Sequence, residues 1–272
     1  GVAGPAAIAM WFPAERRGVP MGIWATWVPV GNIVMFNLAP PLAKSRGWQS
    51  VWWAGAAFAA LTFVLYALFF RTPDDAPKEV QRSDGIGKGM ANASLWLVSL
   101  SFLCFNWVVL ALATFYPTFL SSFRNMGLAQ ASFLASLPMV MAVFSSPLGG
   151  WISDRIGSRK KIIAIPLVVM GALLLFPFHA SGGSIAVVMI LIGIVLGPIP
   201  TATFAAVPEV MPSPQLIGIG MGIVALGQNL GMVAGPAVFG RLAESIGWAA
   251  AGYTLIPVCA IGVLAALFAR LR

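Results

Sequence analysis

The chain has 272 residues, 59% hydrophobic and only 9% charged, with a mean hydropathy of +0.90. Soluble domains carry about 25% charged residues, so this chain has too little polar surface to cover a globule in water, and the composition points to a polytopic membrane protein. The net charge of +8 does not indicate nucleic acid, because the bases sit in short tethers between apolar runs.

A helix needs about 20 apolar residues to cross the hydrocarbon. That length predicts spans at 18–41, 49–70, 94–120, 129–150, 161–179, 184–206, 216–240 and 247–269, with residues 1–13 as the tail of one more. All are expected to be helices, since an open strand leaves backbone groups unpaired in lipid. Gly1 stands where Met would begin a chain, inside an apolar run, so further helices are expected upstream. Cys104 and Cys259 lie within spans and read as small core residues.

The tethers are short except for 71–92, which opens RTPDDAPKEVQRSDGIGKG and carries Pro73, Pro77 and three glycines. It reads as a linker between two bundles: 1–70 would be the remainder of a first bundle, and 93–272 a second bundle of six helices. One set of alternate loops holds twelve of the sixteen bases (Arg16, Arg17, Arg71, Lys78, Arg82, Lys88, Arg155, Arg159, Lys160, Lys161, Arg270, Arg272). The other holds four, Lys44, Arg46, Arg124 and Arg241. The positive-inside rule places the first set, the linker and the C-terminus in the cytoplasm.

The hairpin at 149–161 reads GGWISDRIGSRKK, one acid and four bases between uncharged runs. The chain also repeats itself. At an offset of 200, residues 18–48 match 218–248 at eleven of 31 positions, including Met21-Gly22-Ile23 with Met221-Gly222-Ile223 and Gly47-Trp48 with Gly247-Trp248. Both copies leave a cytoplasmic loop and end outside, which is the arrangement of a parallel repeat about an axis along the membrane normal.

The hairpin order G-x-x-x-D-R-x-G-x-R/K-R/K resembles the loop motif of the major facilitator superfamily of transporters. The run Trp11-Phe12-Pro13-Ala14-Glu15-Arg16-Arg17-Gly18 resembles that family's junction between helices four and five, and the repeat fits its two six-helix halves. The resemblance implies an all-α membrane bundle of two pseudo-symmetric halves with the first half truncated: the end of helix four, helices five and six, the linker, and helices seven to twelve. It also implies a gating role for Gly150, Asp154, Arg155, Gly157, Arg159 and Lys160. Asp154 is expected at the start of the helix near Leu216, where Gly218, Gly220 and Gly222 leave the backbone open, latching the inside shut. Glu209 is expected to pair with Arg155 or Arg159. Glu15, beside Arg16, would be the equivalent acid of the first half. Gly235-Pro236 lies in the eleventh helix; the fifth, where some exporters of the family carry Gly-Pro, lacks it.

Polar residues deep in spans are costly unless used. The cavity candidates are Asn32 and Asn37 with Trp24 and Trp27; Asn106, Trp107, Thr114 and Tyr116; Thr201 and Thr203; and Gln228 with Asn229. All eight acids lie in loops or at helix ends, so proton coupling would need residues upstream. His179 reads as interfacial. An embedded enzyme would require clustered titratable groups in the spans, and a channel a polar stripe or filter; the sequence has neither, nor a metal-ligand cluster or a cofactor motif. The expected function is secondary transport of a small solute, a small organic anion or metabolite, by alternating access. An exporter of drugs or metabolites, or a transport-inactive fragment, is the alternative. Its partners would be the solute, H+ or another coupling ion, and the lipid bilayer, with the protein a monomer in the inner (plasma) membrane.

Overall fold

The computed structural model describes residues 3–13, 16–69, 91–213 and 216–271. The linker at 71–90 and Glu15 lie outside the described residues. Twelve α-helices follow in order: α1 (Ala3–Trp11), α2 (Gly18–Ala25), α3 (Trp27–Arg46), α4 (Gln49–Phe69), α5 (Ala93–Thr118), α6 (Leu128–Ile156), α7 (Arg159–Leu173), α8 (Ser184–Leu196), α9 (Pro198–Val210), α10 (Ile217–Ile246), α11 (Trp248–Tyr253) and α12 (Leu255–Phe268). No strand occurs among the described residues. Among the described residues, six helical stretches are long and apolar enough to cross a membrane. Not one residue of α4 is buried, and its 21 residues carry Trp52, Trp53, Phe58, Phe63 and Phe69 on the surface. That is a lipid-facing composition.

The predicted spans all appear, with three informative departures. First, 18–46 is broken at Thr26 into α2 and α3. Pro29 has no N–H to return to the carbonyl four residues earlier, and the Thr26 hydroxyl instead donates to Ile23 O at 2.7 Å. In the repeat copy the position of Pro29 is held by Asn229, and α10 runs unbroken through it. Second, α7 stops at Leu173, short of the predicted 179. Turns containing Pro177 replace its last part, and their carbonyls are taken by side chains from α5 and just beyond. Tyr116 Oη donates to Pro177 O at 3.0 Å, and Arg124 Nη2 donates to the carbonyls of Phe178, His179 and Ala180 at 3.2–3.3 Å. Third, α6 does not stop at 150 but continues to Ile156, so most of the charged hairpin is helix.

The internal repeat is visible in the backbone. α3 ends at Gly47 with φ 79° and ψ 161°, and α10 ends at Gly247 with φ 85° and ψ 163°. Positive φ favours glycine, and a new helical segment starts within two residues of each. The preceding turns match as well: Ser45 Oγ and Ser245 Oγ donate to Leu42 O and Leu242 O, each at 3.3 Å.

The most extensive helix contact joins α5 to α10. It runs along Gly227, Gly231 and Gly235, one face of α10 at four-residue spacing. A Cβ on Gly231 would fall on the carbonyl of Leu103, and one on Gly235 on the backbone of Trp107. Replacing Gly231 with Leu forces this backbone apart and is expected to cost about 3 kcal/mol. Gly183→Leu, at an open site with nothing near its Cβ position, is the control. Loss of helical circular dichroism on heating in detergent should show a lowered midpoint for the first variant only.

Candidate functional site

The hairpin forms a bridge between the two parts of the chain that precede and follow the linker. Because α6 continues to Ile156, Gly150 and Asp154 are four residues apart on one helical face. That face meets the start of α2. Gly18 N donates to both carboxylate oxygens of Asp154, at 3.0 Å to Oδ1 and 2.9 Å to Oδ2. One turn back, Gly150 and Gly18 touch backbone to backbone, so that a Cβ on either would overlap the other. One turn on, Gly22 packs on Ser146 O and Pro147. An acid near the C-terminus of its own helix is poorly placed electrostatically, but Asp154 reaches the N-terminus of another, where N–H groups lack partners and the dipole favours an anion.

This corrects the expectation that Asp154 meets the helix beginning near Leu216. Gly218 and Gly222 face open space, and Gly220 packs on Val207 and Met211. The partner is the repeat-equivalent residue in the other half, Gly18. The repeat holds the signal for this pairing, since Gly18 and Gly218 are the same position at the offset of 200.

Behind the carboxylate lies Arg159, buried at the first turn of α7 with 4% exposure. Its Nη2 contacts Asp154 Oδ1 at 2.8 Å, its Nε donates to Glu209 Oε1 at 3.1 Å, and its Nη1 donates to Ser153 Oγ at 2.7 Å. Of the two bases offered to Glu209, the structure selects Arg159. Arg155, at the exposed end of α6, instead lies 4.8 Å above the ring of Trp151, because its position is rotated about 100° from that of Asp154 on the helix. Gly157 closes α6 in the left-handed conformation, φ 66°, as helix ends commonly do. Lys160 Nζ donates to Leu267 O at 2.9 Å, at the end of α12. Arg16 is exposed. Arg17, absent from the candidates, donates to Phe12 O and Ala9 O at 2.8 Å and ties the end of α1 to the bridge.

Above this closure lies a cavity of about 410 Å³. Trp24, Trp27 and Asn32 contribute from α2 and α3, Phe102, Phe105, Asn106 and Thr114 from α5, Ser146 from α6, Phe204 from α9, and Gln228 from α10. Among the described residues, no charged side chain lines it. The rings form a chain across the wall. Trp24 meets Trp27 at 6.1 Å and Phe204 edge-on at 5.0 Å; Phe204 meets Phe102 at 5.3 Å, and Phe102 stacks on Phe105 at 5.7 Å. Of the candidates, Asn32, Asn106, Trp27 and Gln228 are brought together here. Trp107, Tyr116 and Asn229 are not. Trp107 is one residue round the helix and packs on the α10 glycines. Tyr116 is buried at the far end on Pro177 O. Asn229 is exposed and returns its amide to Ala225 O at 2.7 Å. Thr201 bonds Ser146 O and Gly197 O, and the side chain of Asn37 lies outside the described residues. No group of metal-ligating side chains occurs among the described residues.

Apolar helices of membrane-crossing length around a cavity, with a charged hairpin at one end, define a helical integral membrane protein. The sequence profile of the Major Facilitator Superfamily matches residues 1–214 and 111–272, and the chain belongs to that superfamily. It is 23% identical to the probable sulfoacetate transporter SauU of Cupriavidus necator, over 96% of this chain and 67% of that protein. To the chloroplastic ascorbate transporter of Arabidopsis thaliana it is 26% identical, over 58% of this chain and 33% of that one. The chain thus spans about two thirds of the first relative and one third of the second. Among solved structures, the human organic anion transporter MFSD10 superposes with a TM-score of 0.77 at 16% identity, covering 96% of this chain and 66% of that one. The fucose:proton symporter FucP of E. coli gives 0.73 at 14%, covering 98% and 72%. FucP in the outward conformation gives the same TM-score.

Arg159→Met is expected to strand two carboxylates at a site with little solvent. Breaking a buried pair by removing one partner costs about 3–5 kcal/mol, against about 0–1 kcal/mol for an exposed one, so the exposed Arg155→Met is the comparison. Chemical denaturation in detergent, followed by tryptophan emission, should separate the two.

Proposed function

We propose that the chain forms part of a secondary active transporter that moves a small solute across the membrane by alternating access, its two halves rocking about the cavity. The observation that carries this is the position of the bridge. A cavity lined from both sides of the linker is closed at the hairpin end by Asp154 on Gly18. With the positive-inside orientation, that end faces the cytoplasm, and the arrangement is an outward-facing state held by an inner latch. Asp154, Arg159 and Glu209 act as the latch; Gly150 and Gly18 let the backbones close; Gly157 turns the hairpin. Arg155, over Trp151, and Lys160 fix the hairpin on the cytoplasmic side of the inner (plasma) membrane. The 71–92 linker would join a first bundle, 1–70, to a second, 93–272.

The solute is a small organic anion or metabolite, a class supported by what the named relatives carry and by the cavity volume. The neutral aromatic wall also favours a second reading, an exporter of apolar metabolites or drugs. In both readings the solute, a coupling ion such as H+ and the bilayer are the partners, and the working unit is a monomer.

The latch makes a directional prediction. Asp154→Asn removes the charge from two hydrogen bonds, a loss of about 1.5 kcal/mol or more, equivalent to roughly a tenfold shift toward the inward-open state. A cysteine at Gln228, a half-buried position that lines the cavity, is expected to react with an impermeant thiol reagent from the outer face alone in the parent protein. It should react from both faces once Asp154 is Asn. Cys104 and Cys259 are buried and stay silent. Unchanged sidedness, with unchanged uptake into proteoliposomes by the protein expressed from its own gene, would remove the latch from the mechanism.

A further inference from the structure

We infer that the second-half wall of the cavity reads an uncharged hydrogen-bond donor, a hydroxyl or N–H, at the end of the solute remote from any negative charge. The inference rests on the transport reading for the identity of the cavity as a solute site, and goes beyond it in naming the chemistry recognised there.

Asn106 carries the argument. It is 5% exposed yet lines the cavity. Its Nδ2 donates to Phe102 O, four residues earlier on the same helix, at 2.8 Å. That bond fixes which way round the carboxamide lies: nitrogen toward its own helix, oxygen away from it. Oδ1 takes no hydrogen bond among the described residues and, on a residue of the cavity lining, is the polar atom left to meet a solute. The wall therefore presents an acceptor at a defined point. Across from α5, the half-buried Gln228 side chain lines the same cavity and makes no bond within the described fold, and Asn32 does the same from the first half.

The surroundings decide what such an acceptor selects. Flanking side chains are Phe102, Phe105 and Val109, and among the described residues no cation lines the cavity to neutralise an anion. A carboxylate or sulfonate oxygen placed at Oδ1 would set lone pair against lone pair with neither group hydrated, whereas an O–H or N–H completes the bond the wall lacks. A site built to satisfy a polar group rejects an analogue without it far more strongly than an apolar pocket rejects an extra methylene. The rings of Trp24, Phe204 and Phe102 would pack on the carbon skeleton between the two ends. The solute class that fits is a hydroxyl- or amide-bearing organic acid, neutral end toward α5 and α10, anionic end away from them.

The test uses pairs that differ only in the donor: 4-hydroxybutyrate against 4-methoxybutyrate, and 5-hydroxypentanoate against 5-methoxypentanoate. Each ether keeps the charge and the oxygen and loses the O–H. Binding is read on the purified protein, expressed from its own gene, by calorimetry. The hydroxy acids are expected to bind about ten- to a hundredfold tighter than their ethers. Asn106→Leu is expected to bring the ratio to about one. Gln228→Met, at a side chain with no bond inside the described fold, is expected to lower the ratio and keeps the test open should Asn106→Leu not fold. Equal binding of acid and ether by the parent, a preference that survives both substitutions, or no binding of any of the four overturns the inference. Uptake of the same acids into proteoliposomes is a separate readout. Binding with the expected ratio but no flux would sink the transport reading and leave the donor-reading wall standing; flux without discrimination would do the reverse.

Discussion

One carboxylate, that of Asp154 near the end of α6, joins that helix to the start of α2. Its two oxygens take the N–H of Gly18, and nothing but glycine on both sides of the contact would let them. The arginine behind it, Arg159, serves two acids at once from a position with almost no water. Such a cluster contributes little as a source of net stability, since the desolvation of three ions offsets their attraction. Its value is geometric. It fixes where α6, α7, α9 and α2 meet, and so fixes the floor of the cavity above. The Gly150–Gly18 contact then adds a close van der Waals fit that a single methyl group would spoil.

The cavity takes its character from the same helices read one or two turns further along. α2 supplies Gly18 and Gly22 to the closure and Trp24 to the wall; α6 supplies Asp154, Gly150 and then Ser146. The Asp154 contact and the cavity wall are thus successive turns of the same helices, and a rotation that separates Gly18 from Asp154 also separates Trp24 from Phe204. Such mechanical linkage is what an alternating-access device requires. Of the two repeated helices only the first is broken, at Thr26, because Pro29 has no counterpart at Asn229.

Much of this was legible in the sequence, and the parts that were not have physical reasons. Spans, hairpin and repeat could be read from hydropathy and spacing because lipid permits only self-satisfied helices, and the matching dihedrals at Gly47 and Gly247 are the repeat in its most local form. The motif named Gly150 and Asp154, and only the continuation of α6 to Ile156 puts them on one face; the expected partner of Asp154, the helix start near Leu216, gives way to Gly18. A one-dimensional motif states which residue reaches, not which helix receives it. The choice of Arg159 over Arg155 depended on α6 continuing through the hairpin, which an apolar-length rule stops at 150. Likewise Asn106 and Trp107, or Gln228 and Asn229, are neighbours in sequence but differ by about 100° on the helix. Only packing decides which one faces the cavity.

The bridge has unequal genetics at its two ends. The acceptor is a side chain, so a single codon change at position 154 abolishes it. The donor at position 18 belongs to the main chain, and no residue other than proline can withdraw it. What inheritance polices at position 18 is therefore bulk and not chemistry. Variants there should fail by forcing α2 and α6 apart, while those at 154 fail by removing the acceptor of the Gly18 N–H. The two sites would share a phenotype while having opposite tolerances: many polar or apolar residues are equally bad at 18, and Glu is the single near-synonym at 154.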